Sequence, residues 1–180
     1  MDEDALIQEL SDAHPGYASF IAHFTTLASN LPPFVYITDT VNTRVTASVI
    51  DALFHASTLY AHVHAVACFT PRLFYDTVLN ALAGWTPSWT NGCQVWPGDD
   101  AQRYNDSIDS FLHGLRRLRH ERTGDKGKGK GKAVASDSEQ EPSMVILIER
   151  AERLSETLPE LMVPLSRLAE LVRPLVPRAS

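Results

Sequence analysis

Met144-Val145-Ile146-Leu147-Ile148 is the most continuous apolar run in the chain, and Glu149 follows it directly. A short apolar run without polar alternation is typical of a strand buried on both faces, as in a parallel sheet covered by helices. From Leu158 to Val172, apolar residues recur at helical spacing, and Pro164 should kink that helix or begin a second one. This part of the chain therefore predicts a strand followed by helix, the repeating unit of an α/β fold.

Upstream segments carry alternating strand and helix signals. Phe34-Val35-Tyr36-Ile37-Thr38 lies between a Pro-Pro pair and an aspartate, which predicts a buried strand. Residues 47–56 predict a helix, and residues 59–66 predict another strand. Thr70 and Pro71 mark the start of the next helix, because threonine can cap it and proline has no N–H to leave unpaired.

Helices are also expected before and after this region. Residues 1–30 predict helix with a break at His14-Pro15-Gly16, Gly84 is expected to end the helix that Pro71 begins, and residues 104–118 predict an amphipathic helix. The order of elements predicts an α/β layered fold with parallel strands. We divide the chain into an N-terminal helical segment (1–30), a core (31–122), a low-complexity linker (123–143), and a strand with its following helix (144–180).

Composition narrows the function classes. The chain has 180 residues, of which 44% are hydrophobic and 21% charged, which suits one globular domain. Its formal net charge of -6 means that any DNA contact must come from a local basic patch. Cys68 and Cys93 have no CxxC neighbour, which argues against a disulfide framework or a cysteine zinc site and favours a reducing compartment. No apolar run is long enough for a membrane-spanning helix, so no membrane partner is expected.

The loop after the first predicted strand occupies the position of a phosphate-binding loop. In the pattern GxxxxGK[ST], glycines let the backbone wrap around phosphate, lysine neutralises it, and the hydroxyl holds Mg²⁺. Here Asp39 replaces the first glycine, Arg44 the second and Val45 the lysine, so that only Thr46 remains. An ordinary turn between strand and helix is the alternative interpretation. The candidate nucleotide-contacting residues are Thr43, Arg44, Val45, Thr46 and Glu149.

Glu149 stands where an acid would orient Mg²⁺ after a buried strand. The following position normally carries the glutamate that activates water, and here it is Arg150. Because a cation cannot accept a proton from water, general-base chemistry is excluded at this residue. The pattern therefore predicts no ATP hydrolysis.

Four stretches, taken in order, resemble the AAA+ domain of the origin recognition complex subunit five family. They are Pro33-Phe34-Val35-Tyr36-Ile37-Thr38, Cys68-Phe69-Thr70-Pro71-Arg72-Leu73, Val145-Ile146-Leu147-Ile148-Glu149-Arg150-Ala151-Glu152-Arg153-Leu154 and Leu165-Ser166-Arg167-Leu168-Ala169-Glu170-Leu171. The resemblance implies a partial P-loop NTPase (AAA+) three-layer sandwich. It also implies a nuclear, non-catalytic scaffold in DNA replication initiation, with other origin recognition complex AAA+ subunits as partners and DNA reached through the assembled complex.

The chain departs from that family in two ways. The family usually keeps its phosphate-binding loop, whereas in this chain only Thr46 and Glu149 match the family's nucleotide-binding residues. No resident cofactor or metal is therefore expected. The chain also ends before the strand that lies between the first and third strands in AAA+ sheets. The two most apolar predicted strands would then either meet directly or leave unpaired edges, which suggests a fragment. The alternative is a weak module in which ATP, with Mg²⁺, is a structural ligand, and an active ATPase is the third hypothesis.

Three further groups each have two interpretations. Cations at the end of a helix could contact DNA phosphate or complement the helix dipole: Arg116, Arg117, Arg119, His120 and Arg122. The Lys126 to Lys132 repeat is either a nuclear-import patch or a solvated linker. Tryptophans could stack on a base or partner, or cover the edge of the core: Trp85, Trp89 and Trp96.

His62 and His64 alternate along the second predicted strand and would share one face, as metal ligands sometimes do. Along the sequence, no carboxylate or cysteine has the spacing that would complete a ligand set. We therefore expect no metal at these histidines.

Overall fold

Two short parallel strands form the centre of the fold. The computed structural model describes residues 3–28, 31–54, 59–98, 102–124 and 144–172. Strand β1 (Leu59–His64) pairs with β2 (Met144–Glu149), in a register that places Leu59 opposite Met144 and His64 opposite Glu149. The prediction of parallel strands at these two places is confirmed.

Helices make up most of the remaining described chain. They are α1 (Glu3–Ala13), α2 (Ala18–Ala28), α3 (Thr43–Phe54), α4 (Pro71–Ala83), α5 (Ile108–Gly124), α6 (Ala151–Thr157), α7 (Pro159–Ser166) and α8 (Leu168–Val172). Short 3₁₀ turns cover Pro15–Tyr17, Ala65–Ala67 and Trp89–Asn91. The expected break between the first two helices is confirmed at Pro15–Tyr17.

Helix α4 shows how local chemistry sets helix ends. Thr70 Oγ1 accepts a hydrogen bond from the Leu73 N–H at 3.2 Å, and Pro71 takes the first helical position. Gly84 ends the helix in the left-handed conformation, with φ of 65°. Both predicted ends of this helix are confirmed.

Apolar side chains lie on both faces of the sheet. The larger core contains Leu59, Ala61 and Val63 of β1 together with buried residues of α4, α5, α6 and α7. On the opposite face, Tyr60, Val145 and Leu147 pack against a smaller core of Phe24, Ile50 and Phe54 from α2 and α3. Helices thus cover both faces of a short parallel sheet, which agrees with the predicted α/β class.

The predicted strand at 34–38 is wrong. These residues are extended but lie in no strand, and Phe34 and Tyr36 are 51% and 67% exposed. A strand requires a neighbour to pair its backbone groups, and β1 and β2 are the only strands among the described residues. The segment therefore has the composition of a buried strand without a strand beside it.

Other boundaries differ by a few residues. Helix α3 begins four residues before the predicted start at 47, and β1 ends two residues before 66. Helix α5 begins at Ile108 rather than 104 and extends to Gly124. The helical region that follows β2 is interrupted at Leu158, because Pro159 opens α7. Pro164, where the interruption was predicted, lies inside α7.

Part of the predicted organisation falls outside the described residues. The linker at 123–143 is described only at Thr123 and Gly124, which end α5, and nothing beyond Val172 is described. The lysine-glycine repeat therefore lies outside the described residues. Within the described ranges, no helix has the length and apolar character needed to cross a bilayer.

Candidate functional site at the carboxyl edge of the sheet

In the loop that resembles a phosphate-binding loop, the carboxylate of Asp39 accepts hydrogen bonds from nearby donors. Asp39 Oδ1 accepts hydrogen bonds from the backbone N–H groups of Val41 at 2.7 Å and Asn42 at 3.1 Å. Its Oδ2 accepts from the Thr46 hydroxyl and, at 2.9 Å, from the Tyr17 hydroxyl. One side chain thus receives four hydrogen bonds from donors of the kind that hold phosphate elsewhere.

These donors stabilise the charged form of Asp39. The Thr46 hydroxyl, and then the Val41 N–H, lower the pKa of Asp39 from 3.8 to about 2. The carboxylate is therefore ionised at neutral pH, and a negative charge occupies the centre of the loop. An incoming phosphate would meet this charge and would find the Thr46 hydroxyl already engaged.

Four of the predicted nucleotide-contacting residues form the first turn of α3. Thr43, Arg44, Val45 and Thr46 open α3, and Asn42 accepts hydrogen bonds from the Val45 and Thr46 N–H groups through its carbonyl oxygen. Arg44 is exposed, Val45 is half-buried and Thr46 is 7% exposed. The position that a phosphate-binding lysine would hold therefore carries an uncharged valine.

Glu149, the other predicted site residue, contacts two histidines. Its Oε2 lies 3.2 Å from Nε2 of His62 and 3.1 Å from Nδ1 of His64. The neighbouring Arg150 has left-handed backbone geometry, with φ of 61°, and donates to Glu152 at 2.6 Å. Thr46 and Glu149 line the same cleft, but each contacts a different partner.

Strand register explains why Glu149 meets the histidines. Residues two apart on a strand share a face, which places His62 and His64 together. In the parallel pair, His64 is opposite Glu149, so this carboxylate lies on the same face. The expectation that no carboxylate would join the two histidines is wrong, because strand pairing brings Glu149 to them. The signal in the sequence was that both strands end in a metal-ligating residue.

A cleft of about 880 Å³ opens beside β2. One wall is the extended segment 31–39, and the other is the edge of β2 that faces away from β1. Among the described residues no third strand pairs with this edge, and all six residues of β2 are only partly buried. The cleft therefore combines an apolar lining with unpaired strand backbone.

The arginine cluster takes part in internal packing. Arg116 Nη2 donates to the Leu171 carbonyl at 2.6 Å, which connects α5 to α8. Arg117 donates to the Tyr104 hydroxyl at 3.0 Å and to Glu121 at 2.8 Å. Arg119 lines the cleft. Arg116 and Arg117 thus have partners within the fold, and a contact between the cluster and DNA stays a prediction.

The tryptophans divide into two kinds. Trp85 donates its indole N–H to the Gln94 carbonyl at 2.9 Å, and Trp96 stacks on Tyr104 with ring centroids 5.6 Å apart. Trp96 packs against the larger core, as one of the two interpretations predicts. Trp89 is 92% exposed and stays available for another role.

Comparison with known proteins adds no relative to this picture. Neither the family models, nor the curated proteins, nor the solved structures that were searched include a match to this chain.

Proposed function

We propose that this chain is a non-catalytic scaffold with an AAA+ P-loop NTPase architecture. By its resemblance to origin recognition complex subunit five, it would act in the nucleus, in DNA replication initiation. The observation that carries the non-catalytic part is the Asp39 carboxylate, which accepts hydrogen bonds from Val41, Asn42, Thr46 and Tyr17. Because the Asp39 carboxylate already accepts hydrogen bonds from these donors, the loop does not require the phosphates of a nucleotide.

The absence of hydrolysis follows from charge. Phosphoryl transfer depends on cations that neutralise the phosphates and on a group that orients the attacking water. Val45 supplies no cation at the lysine position, and Arg150 supplies no base after the acidic residue. Glu149 itself is held by His62 and His64.

The scaffold role draws on the cleft beside β2. Phe34, Val35 and Tyr36 expose apolar surface on its outer wall. The other wall is the edge of β2 that pairs with no strand in the described part of the chain. Unpaired strand backbone is satisfied by another extended chain, through strand addition. The occupant we propose is an extended apolar strand of a neighbouring AAA+ subunit, with DNA bound by the assembled complex.

The nucleotide part of this proposal is tested by thermal unfolding with ATP and Mg²⁺. A ligand at 100 times its Kd stabilises a protein by about 2.7 kcal/mol, so binding is readily detected. We expect no shift and no phosphate release for the natural chain. A reproducible shift would favour the structural-ATP alternative, and turnover would contradict the proposal outright.

A pair of variants tests why the loop does not bind. Restoring the glycine and lysine in Arg44→Gly/Val45→Lys leaves the Asp39 carboxylate in place, so we expect no binding. Adding Asp39→Gly removes that anion and should allow ATP to bind. Circular dichroism of both variants checks that the overall helical content is retained. Equal binding by the double and triple variants would show that Asp39 does not block the loop.

The partner part is tested with a purified AAA+ subunit of the origin recognition complex. Val35→Asp places a charge on the wall of the cleft and should weaken the complex at least tenfold. Val163→Asp, at a 68% exposed position on α7, is the matched control and should leave binding unchanged. Equal effects of the two substitutions, or no complex with the natural chain, would contradict strand docking at the cleft.

A further inference from the structure

We propose that His62, His64 and Glu149 form a binding site for a divalent transition metal, with Zn²⁺ as the ion of best fit. This inference goes beyond the scaffold role and does not depend on it. The three side chains each offer one ligand atom, and these atoms all lie within 4.8 Å of one another. Two strands far apart in sequence thus converge on one point at the carboxyl edge of the sheet.

The distances suit a small ion. Glu149 Oε2 lies 3.2 Å from His62 Nε2 and 3.1 Å from His64 Nδ1. In a tetrahedral zinc site with bonds near 2.1 Å, neighbouring ligand atoms are about 3.4 Å apart. The two edges that include Glu149 are within a few tenths of an ångström of that value, and the edge between the two histidine nitrogens is at most 4.8 Å. An ion can therefore be accommodated by small rotations of the three side chains.

The donor types select the metal. Two imidazole nitrogens with one carboxylate oxygen are a ligand set that zinc takes in proteins, with a fourth position left open. Mg²⁺ and Ca²⁺ prefer oxygen donors, so two nitrogens disfavour them. This preference separates the proposed site from the Mg²⁺ site of a nucleotide-binding domain.

A second carboxylate stands behind His62. Asp51 Oδ1 on α3 lies 3.6 Å from Nδ1 of His62, the ring nitrogen that does not face Glu149. In metal sites, a carboxylate at this place holds the N–H of the histidine and directs the other nitrogen to the metal. At 3.6 Å this contact is longer than a hydrogen bond, so in the proposal Asp51 becomes a positioning residue once the His62 ring has turned slightly toward it.

Burial leaves one side of the site open to solvent. The Glu149 side chain is 14% exposed, that of His62 26% and that of His64 60%. Water can complete the coordination from the side of His64. Because the ligands come from both β1 and β2, the ion would join the two strands and stabilise the folded chain.

Without a metal, His62 Nε2 is hydrogen-bonded to Glu149 Oε2, and His64 Nδ1 lies in polar contact with the same oxygen. The distances of 3.1 and 3.2 Å fit this arrangement as well. The two states differ in a measurable way, because only the metal site binds Zn²⁺ with a fixed stoichiometry.

Isothermal titration calorimetry of chelator-treated protein with ZnCl₂ at pH 7.5 tests the proposal. The titration uses a Cys93→Ser background, since Cys93 is an exposed thiol that could bind zinc. We expect one Zn²⁺ per chain, no heat with MgCl₂, and a rise in melting temperature with ZnCl₂. No saturable zinc binding would overturn the site.

Substitutions locate the ion. His64→Ala, at the most exposed ligand, and Glu149→Gln, of matched size, should each weaken zinc binding at least 100-fold. Asp51→Asn should weaken it by about 10- to 100-fold. His23→Ala, an exposed histidine on α2, is the control and should bind as the parent does. Zinc binding retained in both ligand variants, or lost equally in His23→Ala, would overturn the assignment. Because no nucleotide is present, these outcomes are separate from those of the ATP experiment.

Discussion

The guanidinium carbon of Arg117 lies 5.4 Å from the centre of the Trp96 ring, above its face. The same guanidinium is 5.7 Å from the centre of Tyr104 and donates to the hydroxyl of that residue at 3.0 Å. Trp96 and Tyr104 also stack on each other. Arg117, which belongs to α5, therefore holds Trp96 and Tyr104 against that helix.

We predict that Arg117→Ala destabilises the fold. Cation–π contacts contribute about 0.5–2 kcal/mol according to their burial, and the Arg117 side chain is 34% exposed. The free energy of unfolding should fall by about 1–2 kcal/mol, as measured by urea denaturation followed by tryptophan fluorescence. Arg167→Ala removes a 66% exposed arginine in a surface pair and should cost under about 0.5 kcal/mol. Equal losses in the two variants would count against this role of Arg117.

Asp39 should make stability depend on acid. Its pKa falls from 3.8 to about 2 on folding, so between these values the unfolded chain binds a proton that the folded chain does not. The stabilisation is complete above the unfolded pKa and is lost as the pH drops toward 2. The difference in unfolding free energy between the natural chain and Asp39→Asn should therefore be largest at pH 7 and shrink from pH 4 to pH 2.

A second variant checks the cause of that dependence. Thr46→Val removes the hydroxyl that contributes most to lowering the pKa of Asp39, so the acid-induced loss should be smaller and should be complete at a higher pH. Urea denaturation at pH 7, 4 and 3 measures both effects. A difference between the natural chain and Asp39→Asn that stays constant over this range would contradict the prediction.

Asn105 should be needed to keep Asp76 charged inside the fold. The Asn105 amide is buried and donates to both carboxylate oxygens of Asp76, at 2.9 and 3.0 Å, while burial raises the pKa of Asp76. Asn105→Ala leaves the carboxylate without these bonds and should cost about 1–3 kcal/mol at pH 7. Because the folded state takes up a proton at Asp76 more readily than the unfolded state, the cost should be smaller at pH 4.5.

An exposed pair of the same chemistry is the control for Asn105. Gln8 donates to Asp12 at 2.9 Å on the surface of α1. Gln8→Ala should change the free energy of unfolding by under about 0.5 kcal/mol at either pH. If Asn105→Ala cost the same at pH 7 and pH 4.5, the proposed protonation of Asp76 would be wrong.

Substitution of Gly84 should lower the free energy of unfolding because of its backbone conformation alone. Its φ is 65°, and an added Cβ would meet no atom within 4 Å. Left-handed geometry costs a residue with a side chain about 1–2 kcal/mol, so Gly84→Ala should lower the free energy of unfolding by that amount. Gly16→Ala also adds a methyl group in open space, but without a positive φ, and should be close to neutral. A neutral Gly84→Ala in thermal and urea denaturation would refute the assignment.

Local signals in the sequence predict the helix ends well. Thr70, Pro71 and Gly84 act through contacts with residues a few positions away, so their effects can be read from the sequence itself. The apolar run that forms β2 also predicts its own strand. The order of elements indicates parallel strands, whereas the pairing of β2 with β1 is seen only in the structure.

Non-local features were harder to predict. Segment 34–38 has strand composition, but strand formation depends on a neighbour, and none lies beside it in the described residues. The contact of Glu149 with His62 depends on register between distant strands, which spacing along the chain does not reveal. The position of Asp39 in the loop can be predicted from the motif, whereas its four hydrogen bonds are seen only in the structure.

The pairing of β1 with β2 also has a consequence for synthesis of the chain. His62 and Glu149, which meet across the two strands, are 87 residues apart in sequence. During translation β1 emerges long before its partner, and contacts at such separation slow folding because a long loop must close first. Until the ribosome has released Glu149, the nascent chain exposes an unpaired strand. We expect this interval to be the period in which the protein depends most on chaperones.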